Sequence, residues 1–175
     1  MPITPATISW LGMLLLGSLL ACQSPGDHKP RAGSPLFEAL LGRLLKGSVP
    51  YVDVAGLAAQ PAVVLLDARA APEYAVSHLR GARWVGYDDF DLSRVQDLPR
   101  DTPIVVYCSV GFRSEKVGEK LQQAGFSKVR NLYGGLFEWV NEGQPTVGAD
   151  GQPTPRVHAY SRTWGIWLKR GKKVH

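Results

Sequence analysis

At 175 residues, with 45% apolar and 20% charged side chains, the chain can build one domain with appendages and is too hydrophobic for global disorder. Its net charge of +5 is concentrated at one end: six bases from Arg156 onward face no acid, while the other 14 bases and 15 acids nearly cancel. The domain itself therefore has no charge-based claim to nucleic acid, and the basic tail reads as a solvated end, with anionic lipid or an acidic partner as its other use.

Residues 1–26 contain no Asp, Glu, Lys or Arg. Within them Trp10 to Ala21 forms an apolar core closed by a small residue before Cys22, a length that suits a signal-peptide core better than a full bilayer span. The ending Leu19-Leu20-Ala21-Cys22 resembles a bacterial lipobox. That resemblance implies removal of residues 1–21 and a diacylglycerol on Cys22, and Gln23 implies no retention at the inner membrane. No Lys or Arg precedes the core and Leu20 is bulky for its place, so an uncleaved anchor from Ile3 to Cys22 stands as the alternative. Either arrangement holds the domain at a membrane of the cell envelope, on the extracytoplasmic side.

Residues 22–35, rich in Ser, Pro and Gly, read as a flexible tether. In the segment 36–48, Leu36 to Leu45 has apolar residues at helical spacing and is expected to form a lead-in helix. Residues 49–145 then alternate short apolar runs with helical segments. Strands are expected over Val49–Val52, Val63–Leu66 (buried on both faces), Ala82–Val85, Ile104–Tyr107 and Lys128–Leu132. Helices are expected over Ala55–Ala59 with Asp53 as N-cap, from Pro72, weakly over Leu92–Asp97, from Ser114 to a Gly125 cap, and over Leu136–Asn141. This alternation predicts an α/β fold with a mainly parallel sheet and helices on both faces. The Gly-, Pro- and Thr-rich stretch 143–155 ends the compact domain near Glu142. The extension 146–175 is basic and aromatic, and its segment Val157–Leu168 is expected to dock back onto the domain.

Ligands of such sheets bind at the carboxyl ends of strands, where Cys108 follows Tyr107. A thiol there faces the N–H groups of its own loop, Ser109 to Ser114, and the positive end of the next helix. Both favour the reactive thiolate. The only other cysteine is Cys22, so Cys108 has no internal disulfide partner once Cys22 is modified. Gly111 allows the loop to curl around the sulfur. The bland alternative is an inert buried thiol.

Four segments, in order, resemble the rhodanese superfamily of single-cysteine sulfurtransferases. They are Leu65-Leu66-Asp67-Ala68-Arg69 with Glu73-Tyr74, His78-Leu79-Arg80-Gly81-Ala82, Tyr107 to Ser114, and Asn131 to Trp139 with its Gly134-Gly135 pair. The resemblance implies a rhodanese-like domain with Cys108 as the catalytic residue. The active loop Ser109, Val110, Gly111, Phe112, Arg113 and Ser114 would bind substrate, and Asp67 and Arg69 would support it. It implies sulfane sulfur moving from thiosulfate or a persulfide-type donor, through a Cys108 persulfide, to a thiol or cyanide, with no cofactor; His158 and His175 have no partners at metal spacing, so no metal is expected. Ser109 and Val110 are uncharged where some members carry bases that attract thiosulfate, which leaves the donor open. Arg113 lies five positions after Cys108. Related phosphatases place it six positions on, so phosphatase chemistry is disfavoured. Arg113 either pairs with an anionic donor or fastens the loop to Asp67 or a carbonyl. His78 is expected to bond backbone in its turn, and Trp139, Trp164 and Trp167 to serve as core or docking residues rather than substrate platforms. A monomer is expected. The competing function is a non-catalytic binding or redox-sensing module at the envelope.

Overall fold

The computed structural model of the chain describes residues 30–60 and 62–175. The leader, Cys22 and most of the tether lie outside the described residues. Among the described residues no helix is long and apolar enough to cross a membrane.

The lead-in helix forms as α1, Pro35–Leu44, capped by the Ser34 hydroxyl. Strand β1, Tyr51–Val52, is followed by α2, Val54–Ala58, whose N-cap is Asp53. Strand β2 (Val64–Asp67), helix α3 (Ala71–Val76) and strand β3 (Arg83–Trp84) come next. A 3-10 turn over Leu92–Val95 leads to β4 (Ile104–Tyr107), α4 (Phe112–Gln123), β5 (Val129–Leu132) and α5 (Gly135–Asn141). The five strands form one parallel sheet in the order β1-β5-β4-β2-β3, the α/β architecture expected from the alternation.

Strand β4 lies at the centre and all four of its residues are buried. Its side chains alternate between the two layers. Ile104 and Val106 pack with Val117 and Leu121 of α4. Val105 and Tyr107 pack with Phe37 and Leu41 of α1 and with Leu136 and Phe137 of α5. Burial on both faces and pairing on both edges make the carboxyl end of β4 a rigid mount.

Several expectations are corrected. The strand placed at Val49 begins at Tyr51, because Pro50 has no N–H for the ladder and contributes only its carbonyl, which accepts from the Asn131 N–H at 2.8 Å. Strand β2 is not buried on both faces along its length, since Val64 and Leu65 are half-buried and the short β3 pairs only with Leu66 and Asp67. Helix α4 starts at Phe112 rather than Ser114, because Gly111 takes φ +106° and turns directly into the helix.

The basic extension is not a solvated end. Val147 exchanges backbone hydrogen bonds with His78, both 2.9 Å, and β6 (Arg156–His158) pairs in parallel with β7 (Lys172–Val174). Val157 and Leu168 are buried in the apolar cluster that contains α1 and α5, and Trp167 stacks on Phe37 with ring centres 5.5 Å apart. The Asn141 side chain clamps this segment, donating to the Trp167 carbonyl and accepting from the Lys169 N–H. The charged side chains stay in water while the backbone between them is tied down.

Candidate active site

Cys108 leaves the end of β4 and its Sγ accepts the N–H of Gly111 at 3.2 Å. At Gly111 a side chain would be strained by the positive φ and would press on Leu45, 3.3 Å from where its Cβ would lie. Beyond it, Phe112, Arg113 and Ser114 open α4, and their N–H groups have no partner within the helix. The loop carbonyls are turned away from the sulfur. The Cys108 and Ser109 carbonyls accept from the N–H groups of Leu136 and Phe137, at 2.8 and 3.0 Å. The Gly111 carbonyl accepts from Asn131 Nδ2 at 2.9 Å. The Gly111 N–H therefore faces the thiol, while the carbonyls of Cys108, Ser109 and Gly111 are bonded into the protein.

The Gly134-Gly135 pair makes that arrangement possible. Both residues have positive φ, and a Cβ on Gly135 would stand 2.8 Å from the Ser109 carbonyl carbon. The N-terminus of α5 can meet the active loop only because no side chain is there.

One fully buried and one partly buried ion pair flank the loop. Arg69 and Asp67 are fully buried and joined at 2.6 Å, and Arg69 Nη2 also donates to the Ser77 carbonyl. Burial opposes the Arg69 charge, and the Asp67 carboxylate outweighs it, holding the guanidinium pKa above its ordinary value. Nearer the thiol, Arg113 Nη1 and Nη2 donate to Glu73 Oε2 and Oε1 at 2.6 and 2.8 Å. The Ser109 hydroxyl donates to Glu73 and accepts from Arg113, closing a triangle. Burial pulls the Glu73 carboxyl up, but the Arg113 hydrogen bonds prevail and hold it below its ordinary value. Burial likewise opposes the Arg113 charge, and Glu73 together with the neighbouring Cys108 raises its pKa.

Above the thiol lies a pocket of about 400 Å³. Cys108 lines it and is only 1% exposed, which puts the residue at its floor. Glu73 and Ala70 form one side, Ser109, Val110, Phe112 and Arg113 the base, and Leu44 of α1, Tyr87 and Asp88 further wall. Tyr160 and Trp164 of the extension complete it. Another hollow, about 460 Å³, sits at the opposite, amino ends of the strands near Val63, Pro103 and Lys128, far from the thiol.

The loop residues expected from the sequence divide into two groups. Ser109, Val110, Phe112 and Arg113 line the pocket, whereas Gly111 is buried beneath it and Ser114 is fully buried, donating its hydroxyl to Asn131 Oδ1 at 2.7 Å. Asp67 and Arg69 pair with each other away from the pocket. Arg113 fastens neither to Asp67 nor to a carbonyl but to Glu73, a residue quoted in the sequence motif and given no role there. The signal was available: Glu73 is a lone acid in the first turn of a short, otherwise uncharged helix. His78 bonds backbone as expected, its Nδ1 donating to the Tyr74 carbonyl at 3.0 Å while its ring stacks on Tyr74. Trp139 and Trp167 pack as expected against the apolar cluster, but Trp164 also faces the pocket.

A parallel sheet carrying, among the described residues, one thiol at a central strand end with a loop N–H on its sulfur defines a class of single-cysteine, anion-facing loop domains. The family model for the rhodanese-like domain matches residues 52–142, and the chain belongs to that family. It is similar to a sulfurtransferase of Allochromatium vinosum, with 33% identity over 89 residues that cover 51% of this chain and 82% of that protein. A tRNA uridine(34) hydroxylase of Salmonella typhimurium is also 33% identical over 112 residues, covering 61% of this chain but only 31% of the hydroxylase. Among solved structures, a rhodanese-like domain from an Anabaena species superposes with a TM-score of 0.53 at 30% identity, covering 57% of this chain and 79% of that one. A rhodanese-related protein of Thermoplasma volcanium has a TM-score of 0.50 at 27% identity, over 55% and 96% of the two chains.

Proposed function

We propose that the protein is a sulfurtransferase that carries sulfane sulfur as a persulfide on Cys108. The observation that carries this reading is the thiol at the pocket floor with the Gly111 N–H on its sulfur, in a loop whose carbonyls are bonded outward. The Cys108 thiolate attacks the outer sulfur of the donor. A new S–S bond forms, the donor's S–S bond breaks, and the leaving group departs with the electron pair. The persulfide anion then takes the place of the thiolate, beside the Gly111 N–H and at the positive end of α4. A thiolate or cyanide takes the outer sulfur and regenerates the Cys108 thiolate. No proton transfer is needed once the thiolate exists, consistent with His78 being tied to backbone.

Replacement Cys108→Ser tests the reading with cyanide as acceptor. Thiocyanate formation is expected to fall to the uncatalysed rate with the fold intact, and equal turnover by the variant would remove the assignment. Persistent donor binding without any turnover in the wild type would instead support the binding-module alternative.

The charge-free leader supports a further part of this reading, attachment at a membrane outside the cytoplasm through lipidated Cys22 or the uncleaved apolar segment. The mass of the mature amino terminus decides between diacylated Cys22 and an intact Met1, and a soluble chain cut elsewhere would contradict both.

A further inference from the structure

The extension that follows the family-matched segment supplies part of the wall over Cys108, and that wall is aromatic. Its placement is built rather than incidental. Ala159 N–H donates to the Val174 carbonyl, and Tyr160 N–H to His158 Nδ1 at 3.1 Å. Tyr160 is the one non-glycine residue with positive φ among the described residues, at 62°. The backbone there is held in an unfavourable region, and its side chain meets Arg113, whose guanidinium lies 5.0 Å from the ring centre. The Trp164 backbone N–H donates to the Ser161 hydroxyl at 3.3 Å.

The charges of the pocket are equally informative. Its lining holds one cation, Arg113, and two anions, Glu73 and Asp88. Both terminal nitrogens of Arg113 are engaged by Glu73, so the guanidinium, although it neighbours Cys108, is charge-compensated, and among the described residues the pocket lining holds no second cation. A small inorganic dianion entering there meets a net negative lining and aromatic side chains.

We infer that the pocket selects a sulfane-sulfur donor carrying an aromatic or apolar organic group, such as an aryl thiosulfonate or an organic persulfide, in preference to thiosulfate, and that Tyr160 and Trp164 are the specificity-determining residues. The inference rests on Cys108 acting as the sulfur carrier. With an aryl thiosulfonate the Cys108 thiolate bonds to the terminal sulfur, the donor's S–S bond breaks, and an aryl sulfinate leaves with the electron pair. The organic group then lies against Trp164 and Tyr160 while the outer sulfur reaches the floor.

The test is the ratio of kcat/KM for benzenethiosulfonate to that for thiosulfate, with cyanide as acceptor, on the full chain and on Trp164→Ala, Trp164→Phe and Tyr160→Asn. Asparagine tolerates the positive φ at position 160, and Tyr160 is exposed enough that its replacement leaves the core untouched. Comparing each variant with wild type cancels the donors' unequal intrinsic reactivity. The wild type is expected to favour the organic donor. Each of Trp164→Ala and Tyr160→Asn is expected to lower the ratio roughly five-fold through KM of the organic donor, as lost aromatic contact implies, while Trp164→Phe restores most of it. A ratio unchanged in Tyr160→Asn and in a folded Trp164→Ala, or a wild-type preference for thiosulfate, would overturn the inference while leaving the sulfur-carrier reading in place. Cys108 loaded by neither donor would overturn both.

Discussion

The carboxylate of Glu73 gives one oxygen to each terminal nitrogen of Arg113 and also accepts the Ser109 hydroxyl, so one buried group orients two residues of the active loop. In Glu73→Gln the amide can satisfy only part of that set and leaves the guanidinium uncompensated. Loss of a charge-assisted hydrogen bond should lower stability by about 2 kcal/mol, read as a lower urea midpoint at unchanged slope. The freed Arg113 should raise activity with thiosulfate relative to an organic donor, and equal relative activity would contradict the compensation argument. The pH dependence has a definite sign. The folded Glu73 pKa lies below its ordinary value, so its contribution is present above the ordinary 4.5 and is lost as pH falls through the lower folded value. Glu73→Gln should remove that part of the acid sensitivity. Cys108 and its loop were legible because their neighbours are adjacent in sequence. The partner of Arg113 was not, because it lies 40 residues away and only the β2–β4 pairing brings it near.

At the scale of elements, the active loop is shaped as much by α5 as by its own residues. The N–H groups of Leu136 and Phe137 hold the loop carbonyls, and Gly135 permits their approach. Gly135→Ala would place a methyl against Ser109 in a left-handed conformation. That should cost at least about 1–2 kcal/mol and lower kcat for sulfur transfer far more than it lowers the unfolding midpoint. Wild-type turnover in the variant would show that α5 does not set the loop. The far side depends on Glu115 of α4, a buried carboxylate that accepts the N–H groups of Lys46, Gly47 and Ser48. Glu115→Ala should detach the turn between α1 and β1 and destabilise the chain by about 2 kcal/mol, checked by urea unfolding. The strands and helices from α1 to α5 were readable from apolar runs and periodicity. The contacts of Glu115 were not, because charge at a helix surface gives no sign of which backbone it will meet.

At the scale of the whole molecule, the chain closes on itself: α1 from before the domain and the extension from after it meet over the same face as α5, and both reach the pocket through Leu44, Tyr160 and Trp164. Sequence alone showed the aromatic residues of the extension but read its charges as a sign of solvation. The apolar anchors Val157, Ala159 and Leu168 are too sparse to reveal a pairing between residues 156–158 and 172–174. His158 ties this unit to pH. Its Nδ1 accepts the Tyr160 N–H, which requires an unprotonated nitrogen, and burial lowers its pKa. The docking contribution is therefore fully present above the ordinary 6.5 and declines as pH falls below it, because the unfolded chain then takes the proton more readily. His158→Gln should flatten that part of the urea-midpoint profile, and an unchanged profile would contradict the role. All of these scales converge on one atom, the Cys108 sulfur. Its function is tested most directly by the intact mass of the protein after exposure to a sulfane-sulfur donor and removal of excess. Cys108 is expected to gain one sulfur atom, which is lost on adding cyanide and absent in Cys108→Ser. A wild-type mass that no donor changes, or a gain that persists in Cys108→Ser, would contradict the sulfur-carrier reading.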